Sequence, residues 1–308
     1  MVRYISQRII YAFLTFFLIA TFSFYLMQTL PGSPFNDAKL SPDQRERLYE
    51  KYGLDEPVSY QYFKYMTNIF KGDLGVSFQF DGRPVMNIFA ERLGPSAQLG
   101  IQALVLGTIV GIVIGIIAAL RHNSFIDYGV MILSVAGIAI PSFVFAGFLQ
   151  YWIGVKLNWL PVAMWNGFEY TILPTLTLAV SIVAVIARYM RTEMLEVINQ
   201  DYLLTAEAKG LSGWAIVIRH CIRNAIIPVI TILGPLLVSL MTGSLVIEKI
   251  FGIPGIGEQF VKSIMTNDYP VIMGTTLLYS ALFIIATLIV DILYGLIDPR
   301  IRLMDGGK

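Results

Sequence analysis

Residues 95–120 read PSAQLGIQALVLGTIVGIVIGIIAAL, without one charged side chain. A bilayer core about 30 Å thick is crossed by roughly 20 apolar residues in a helix. Lipid offers no partner to an unpaired backbone group, so a stretch of this kind must be helical. Five more charge-free stretches meet that length or come close to it: residues 9–30, 128–155, 170–187, 224–247 and 269–290. In the shortest, 170–187, Pro174 lies near the start, where a helix tolerates proline best. The expected fold is an all-α membrane protein with about six transmembrane helices. Composition agrees: 56% of residues are hydrophobic and 14% charged, against about 45–50% and about 25% in soluble domains.

The first stretch follows Arg3 and Arg8, as a signal peptide would, but its apolar run is too long and Thr29-Leu30-Pro31 is no small-x-small cleavage site. With the N-terminus in the cytoplasm, the inner segments hold Arg3, Arg8, Arg121, Arg188, Arg191, Lys209, Arg219, Arg223, Arg300, Arg302 and Lys308. The short outer loops then hold only Lys156, Lys249 and Lys262. That asymmetry places both termini in the cytoplasm. A net charge of +1 carries no nucleic-acid footprint. The single cysteine, Cys221, excludes an internal disulfide and any Cys-based metal framework. His122 and His220 have no carboxylate at ligand spacing beside them, so no metal site is expected.

Two segments are too long and polar to be mere connectors. Residues 31–94, outside, contain Ser41-Pro42-Asp43, a helix start. Tyr62, Met66 and Ile69 then recur near helical spacing, which predicts a small aromatic-rich cap. Residues 192–223, inside, are the most informative in the chain. The run from Asp201 to Lys209 predicts a short helix that Gly210 ends through a positive φ, and Ser212 then caps a second. There Trp214, Ile218 and Cys221 share one face, while Arg219 and Arg223 share another. The pattern fits an amphipathic helix-turn-helix at the membrane surface. It serves equally as an interfacial anchor or as a lever seated in a cleft of a cytoplasmic partner. The domain expectation is therefore an N-terminal helix at 1–30, an outer cap at 31–94 and a core at 95–308.

Within the spans, Gln98, Gln102, Ser181, Thr231, Ser239, Thr242 and Ser244 are candidates to face a watery path or to bond between helices. Gly107, Gly111 and Gly115 form a ridge for close helix approach. Pro141 and Pro235 interrupt spans and are hinge candidates. Asp291, near the inner interface, is expected to pair with an arginine or cap a helix.

Several motifs in order resemble the oligopeptide and dipeptide permease family of binding-protein-dependent ABC importers, in its OppB/DppB type. Asp201-Tyr202, Thr205-Ala206 and Ala208-Lys209-Gly210-Leu211 look like the family's EAA loop, continued by His220, Arg223-Asn224-Ala225 and Pro228-Val229. Further matches are Tyr52-Gly53-Leu54-Asp55, the run from Gly72 to Ser77, the run from Glu248 to Gly257, and Asp298-Pro299-Arg300. Leu204 and Glu207 depart from the family, which has a basic residue there, and the glutamate of the general loop pattern is missing. The resemblance implies a bacterial plasma-membrane permease working with a second, OppC/DppC-type permease, two OppD/OppF-type ATPases that use ATP and Mg, and an extracellular peptide-binding lipoprotein. This chain should then be no enzyme, and no phosphate-cradling Gly-x-x-x-x-Gly-Lys-Ser/Thr motif occurs in it. The competing readings are an ion-coupled secondary transporter, and an importer permease for a non-peptide cargo such as haem or a metal complex.

Overall fold

The computed structural model describes residues 2–29, 33–35 and 40–297, without the side chains of residues 2–5, 238, 239, 241–243 and 290–297. Asp291, Ser239 and Thr242 therefore lie outside the described side chains, and the motif at 298–301 lies outside the described residues. Among the described residues the elements are α1 (Val2–Thr29), α2 (Pro42–Tyr52), α3 (Val58–Phe70), α4 (Val85–Leu120), α5 (Phe125–Ala139) and α6 (Ser142–Leu149), which continues as a π-helical turn at Gln150–Lys156. Then come α7 (Glu169–Ile198), α8 (Asp201–Ala208), α9 (Gly213–Ile216), a π segment at Val217–Ile222, α10 (Arg223–Phe251), α11 (Ile256–Met265) and α12 (Tyr269–Ile297).

Five helical runs are long and apolar enough to cross a membrane, or six if the bent pair formed by α5 and α6 is one span. The all-α, six-span expectation thus holds, with a correction to the third span. It is not one straight rod: the chain bends by 103° between Phe125–Ala139 and Ser142–Lys156. Pro141 has no N–H to continue the helix, and its ring drives the preceding residue out of the α region. Ile140 accordingly sits at φ −77°, ψ 121°. The second span also starts earlier than residue 95, because α4 begins at Val85 and carries Pro95 inside it.

The chain divides into two compact units, residues 1–94 with 254–288 and residues 95–253 with 289–308. In the first, α2 is closed by a capping box in which Ser41 accepts from the Gln44 N–H and the Gln44 side chain returns to the Ser41 N–H. Met66 of α3, Ala20 of α1 and Leu277 of α12 form a small core, with Tyr62, Tyr65 and Ile69 around it. Thr21 and Tyr62 share a 2.8 Å hydroxyl hydrogen bond. Asp268, fully buried, accepts from Ser77 Oγ and, at 3.1 Å, from the Phe78 N–H. It also accepts from the Val271 N–H and so caps α12 while holding the 76–84 turn. Burial pushes its carboxyl above the ordinary value, and these donors pull against that rise.

The second unit is organised around α7, whose buried residues run from Thr171 to Met194. The glycine ridge of α4 meets it: a Cβ at Gly107 would lie 2.6 Å from Ile182 Cβ, at Gly111 2.7 Å from Ile186 Cβ, and at Gly115 2.7 Å from Met190 Cβ. Glycine at each position lets the two backbones close up, which is where packing energy between helices in lipid comes from. On another side Gly137 of α5 would place a Cβ 3.2 Å from Ala184 Cβ. Glu248 of α10, fully buried, accepts from Ser96 Oγ of α4 at 2.7 Å.

Candidate functional site: the elbow between α7 and α10

Only Asn199 and Gln200 separate α7 from α8. Leu203 and Ala206, three positions apart on α8, are buried in the core of the second unit, and Leu211 packs against that core from beyond the helix. The opposite face is open: Asp201, Tyr202, Leu204, Thr205, Glu207, Ala208 and Lys209 are exposed. Leu204 is 65% exposed and sits beside the half-exposed Tyr202, so the open face presents apolar as well as polar groups.

Gly210 reverses the chain. Its N–H reaches the Glu207 carbonyl at 2.8 Å and the Leu211 N–H reaches the Ala206 carbonyl at 3.3 Å, with Gly210 at φ +79°. This left-handed turn ends α8 as the sequence predicts. Ser212 then caps α9 by accepting from the Ala215 N–H at 3.4 Å. Asn224 Nδ2 donates to the Tyr202 hydroxyl at 2.7 Å, so the first turn of α10 holds α8 directly.

The second helix departs from expectation. It is no separate surface helix, since α9, the π segment and α10 run on as one rod. Its buried stripe is also different: Ile216, Cys221, Ala225 and Val229 are enclosed, whereas Trp214 is 67% and Ile218 51% exposed. The π segment bonds i to i+5 and accommodates one extra residue in the turn. The stripe therefore steps by five from Ile216 to Cys221 and by four thereafter, where an uninterrupted α-helix would align Trp214, Ile218 and Cys221.

The candidate pathway residues are dispersed. Gln98 is exposed. Gln102 accepts from Thr175 Oγ1 at 3.1 Å, a bond from α7 to α4. Ser181 donates to the Leu178 carbonyl at 3.1 Å, Thr231 donates to the Pro228 carbonyl, and Ser244 is buried. Of these, Ser181 alone among the described residues lines the cavity of about 730 Å³ that opens at the Pro141 bend. Ser134, Ser142 and Thr177 add polar groups to its wall, and Leu236 and Leu240 of α10 contribute apolar ones. Pro141 lies on that wall, whereas Pro235 lies within an uninterrupted α10.

One cluster was not foreseen. Asp127 in the first turn of α5 is fully buried, and its carboxylate accepts Arg191 Nε at 2.5 Å and Nη2 at 2.7 Å. The Asn123 N–H adds a bond at 3.0 Å, and His122 Nδ1 lies 3.1 Å away. His122 thus has a carboxylate beside it after all. Counting from His122, the partner lies five residues on across a turn, outside the helical spacings that pair side chains.

Residues 111–303 match the family of binding-protein-dependent transport system inner membrane components, and residues 1–97 match the N-terminal region of the same membrane components. The chain belongs to this permease family. The permease is 46% identical to the dipeptide transport system permease protein DppB of Bacillus subtilis over 308 residues, covering 100% of both chains. It is equally 46% identical to DppB of Lactococcus lactis subsp. cremoris over 303 residues, 98% of this chain and 100% of that one. Against the oligopeptide transport system permease protein OppB of Haemophilus influenzae the identity is 43% over 305 residues, 98% of this chain and 100% of that one. The permease is thus of the OppB/DppB type. Its fold is also that of a crystal structure of an amino acid ABC transporter with histidines, at a TM-score of 0.51 and 18% identity, over 70% of this chain and 94% of that one. The family is one of transport components rather than of catalysts.

Proposed function

We propose that this permease, with a second homologous permease of the OppC/DppC type, forms the path by which peptides enter a bacterial cell. Two cytoplasmic OppD/OppF-type ATPases supply the drive with ATP and Mg, and an external lipoprotein delivers the peptide. The observation that carries the reading is the elbow. Asp201 to Leu211 is anchored on one face to the helices that line the cavity and open on the other. The charge asymmetry of the loops supports a cytoplasmic position for that open face and for both termini. The names of the relatives support peptide as the cargo.

Closure of the ATPase dimer displaces α8, and the short junctions at 199–200 and 209–212 pass the displacement to α7 and α10. Such a drive biases transport only if the elbow is held differently in the two states, because contacts equal in both shift nothing. The assembled complex, purified with its binding protein and reconstituted in vesicles, is expected to take up peptide when ATP is supplied and not when only a proton or sodium gradient is imposed. Uptake driven by the gradient alone would replace this reading with that of an ion-coupled carrier.

A further inference from the structure

One buried cluster lies close to the elbow without belonging to it. Arg191 sits on α7 about two turns before that helix ends at Ile198, and its guanidinium grips Asp127 of α5 through two parallel bonds. Bidentate pairs of this kind fix orientation as well as distance. Neither side chain has much freedom left: Asp127 is 1% and Arg191 19% exposed. The Asn123 N–H donates to the same carboxylate oxygen that takes Arg191 Nη2, and His122 Nδ1 lies 3.1 Å from that oxygen.

At the other end of α5, Gly137 is pressed against Ala184 and Val180 of α7. The two contacts run in opposite senses along the two helices, so α5 and α7 are antiparallel and tied near both ends. Immediately beyond the Gly137 contact comes the Pro141 bend, and the cavity wall there is built mainly from α5, α6, α7 and α10, with Ile114 of α4. A displacement of α7 therefore reaches the bend through α5 only as far as α5 is made to follow. A small apolar contact at Gly137 resists sliding weakly. The Asp127–Arg191 pair, which must lose several charge-assisted bonds at once to slip, resists it strongly.

We infer that the Asp127–Arg191 pair is a latch that obliges α5 to move with α7, carrying the motion of the elbow to the cavity at Pro141. These are positioning residues: neither touches the cargo. The inference rests on the elbow being the input, and it adds where the input goes.

The test measures peptide taken up per ATP hydrolysed by the reconstituted complex, for the unmodified permease, Arg191→Lys, Arg191→Gln and Asp127→Asn. Arg191→Lys keeps the charge and loses the fork, so it guards against loss of folding in the other two. In all three the ratio is expected to fall at least about threefold while ATP hydrolysis persists, with Arg191→Lys the mildest. A second arm places Asp127→Cys and Arg191→Cys in a Cys221→Ser background and joins them with a short bifunctional thiol reagent. The ratio is expected to be low before joining and to recover after it. An unchanged ratio in the substituted but assembled complex overturns the latch, as does failure of even Arg191→Lys to assemble, which leaves the pair a structural role alone. A failure of the elbow reading looks different: Gly210→Val then takes up as much peptide per ATP as the unmodified complex.

Discussion

At Gly210 an added Cβ would meet nothing within 4 Å, so any effect of substitution there comes from the backbone. A non-glycine residue in the left-handed region costs about 1–2 kcal/mol, and asparagine tolerates it better than others. Valine, branched at Cβ, is among the least suited. Gly210→Val is therefore expected to reorient α8 relative to α9 and to cut peptide uptake by about tenfold or more while ATP hydrolysis continues uncoupled. Gly210→Asn should keep most of the uptake. Parallel uptake and phosphate-release assays on the two variants check this, and equal transport by both would remove the elbow from the mechanism. Gly210 is legible in the sequence because only a few residue types accept its φ. Asp127 is not, because its partner is 64 positions away and a carboxylate in the first turn of a helix looks like an ordinary cap.

Among the elements, the spans announce themselves through hydropathy, whereas breaks within them do not. Pro141 and Pro235 look alike as interruptions, yet the chain bends by 103° at the first and stays helical through the second. Proline in a helix is tolerated where neighbouring helices re-satisfy the freed carbonyl, and that depends on packing, which the local sequence does not contain. The π segment is hidden for a similar reason. Trp214, Ile218 and Cys221 fit an α-helical stripe, and only the core around Ile216 selects the wider turn. The glycine ridge, by contrast, is legible as spacing, and its partner is now identified as α7. Even one methyl at Gly111 would lie 2.7 Å from Ile186 Cβ and 3.1 Å from the Val183 carbonyl. Gly111→Ala is expected to destabilise the permease by about 1–3 kcal/mol, read as earlier thermal unfolding of the purified complex. Gly100→Ala on the same helix has open space around it and should leave the transition in place. A Gly111→Ala transition as late as that of Gly100→Ala would mean that α4 and α7 do not pack through the ridge.

For the molecule as a whole, the relatives match over essentially the full chain, which divides into two compact units. One unit holds the short helices α2, α3 and α11 together with α1, the start of α4 and α12 as far as residue 288. The other holds the elbow, the Asp127–Arg191 pair and the bend. Under the proposed function the drive comes from separate ATPases, and the open face of α8 is the point at which that proposal has it enter. The most direct measurement is a cross-linking experiment on the assembled, transporting complex, with Thr205→Cys on that face, Cys221→Ser in the background and a photoactivatable thiol reagent attached. An adduct to an ATPase subunit, whose yield changes when the nucleotide-bound state is trapped, is the expected result. Adducts to lipid alone, from a complex that still imports peptide at the cost of ATP, would contradict the claim that the elbow is the point of coupling.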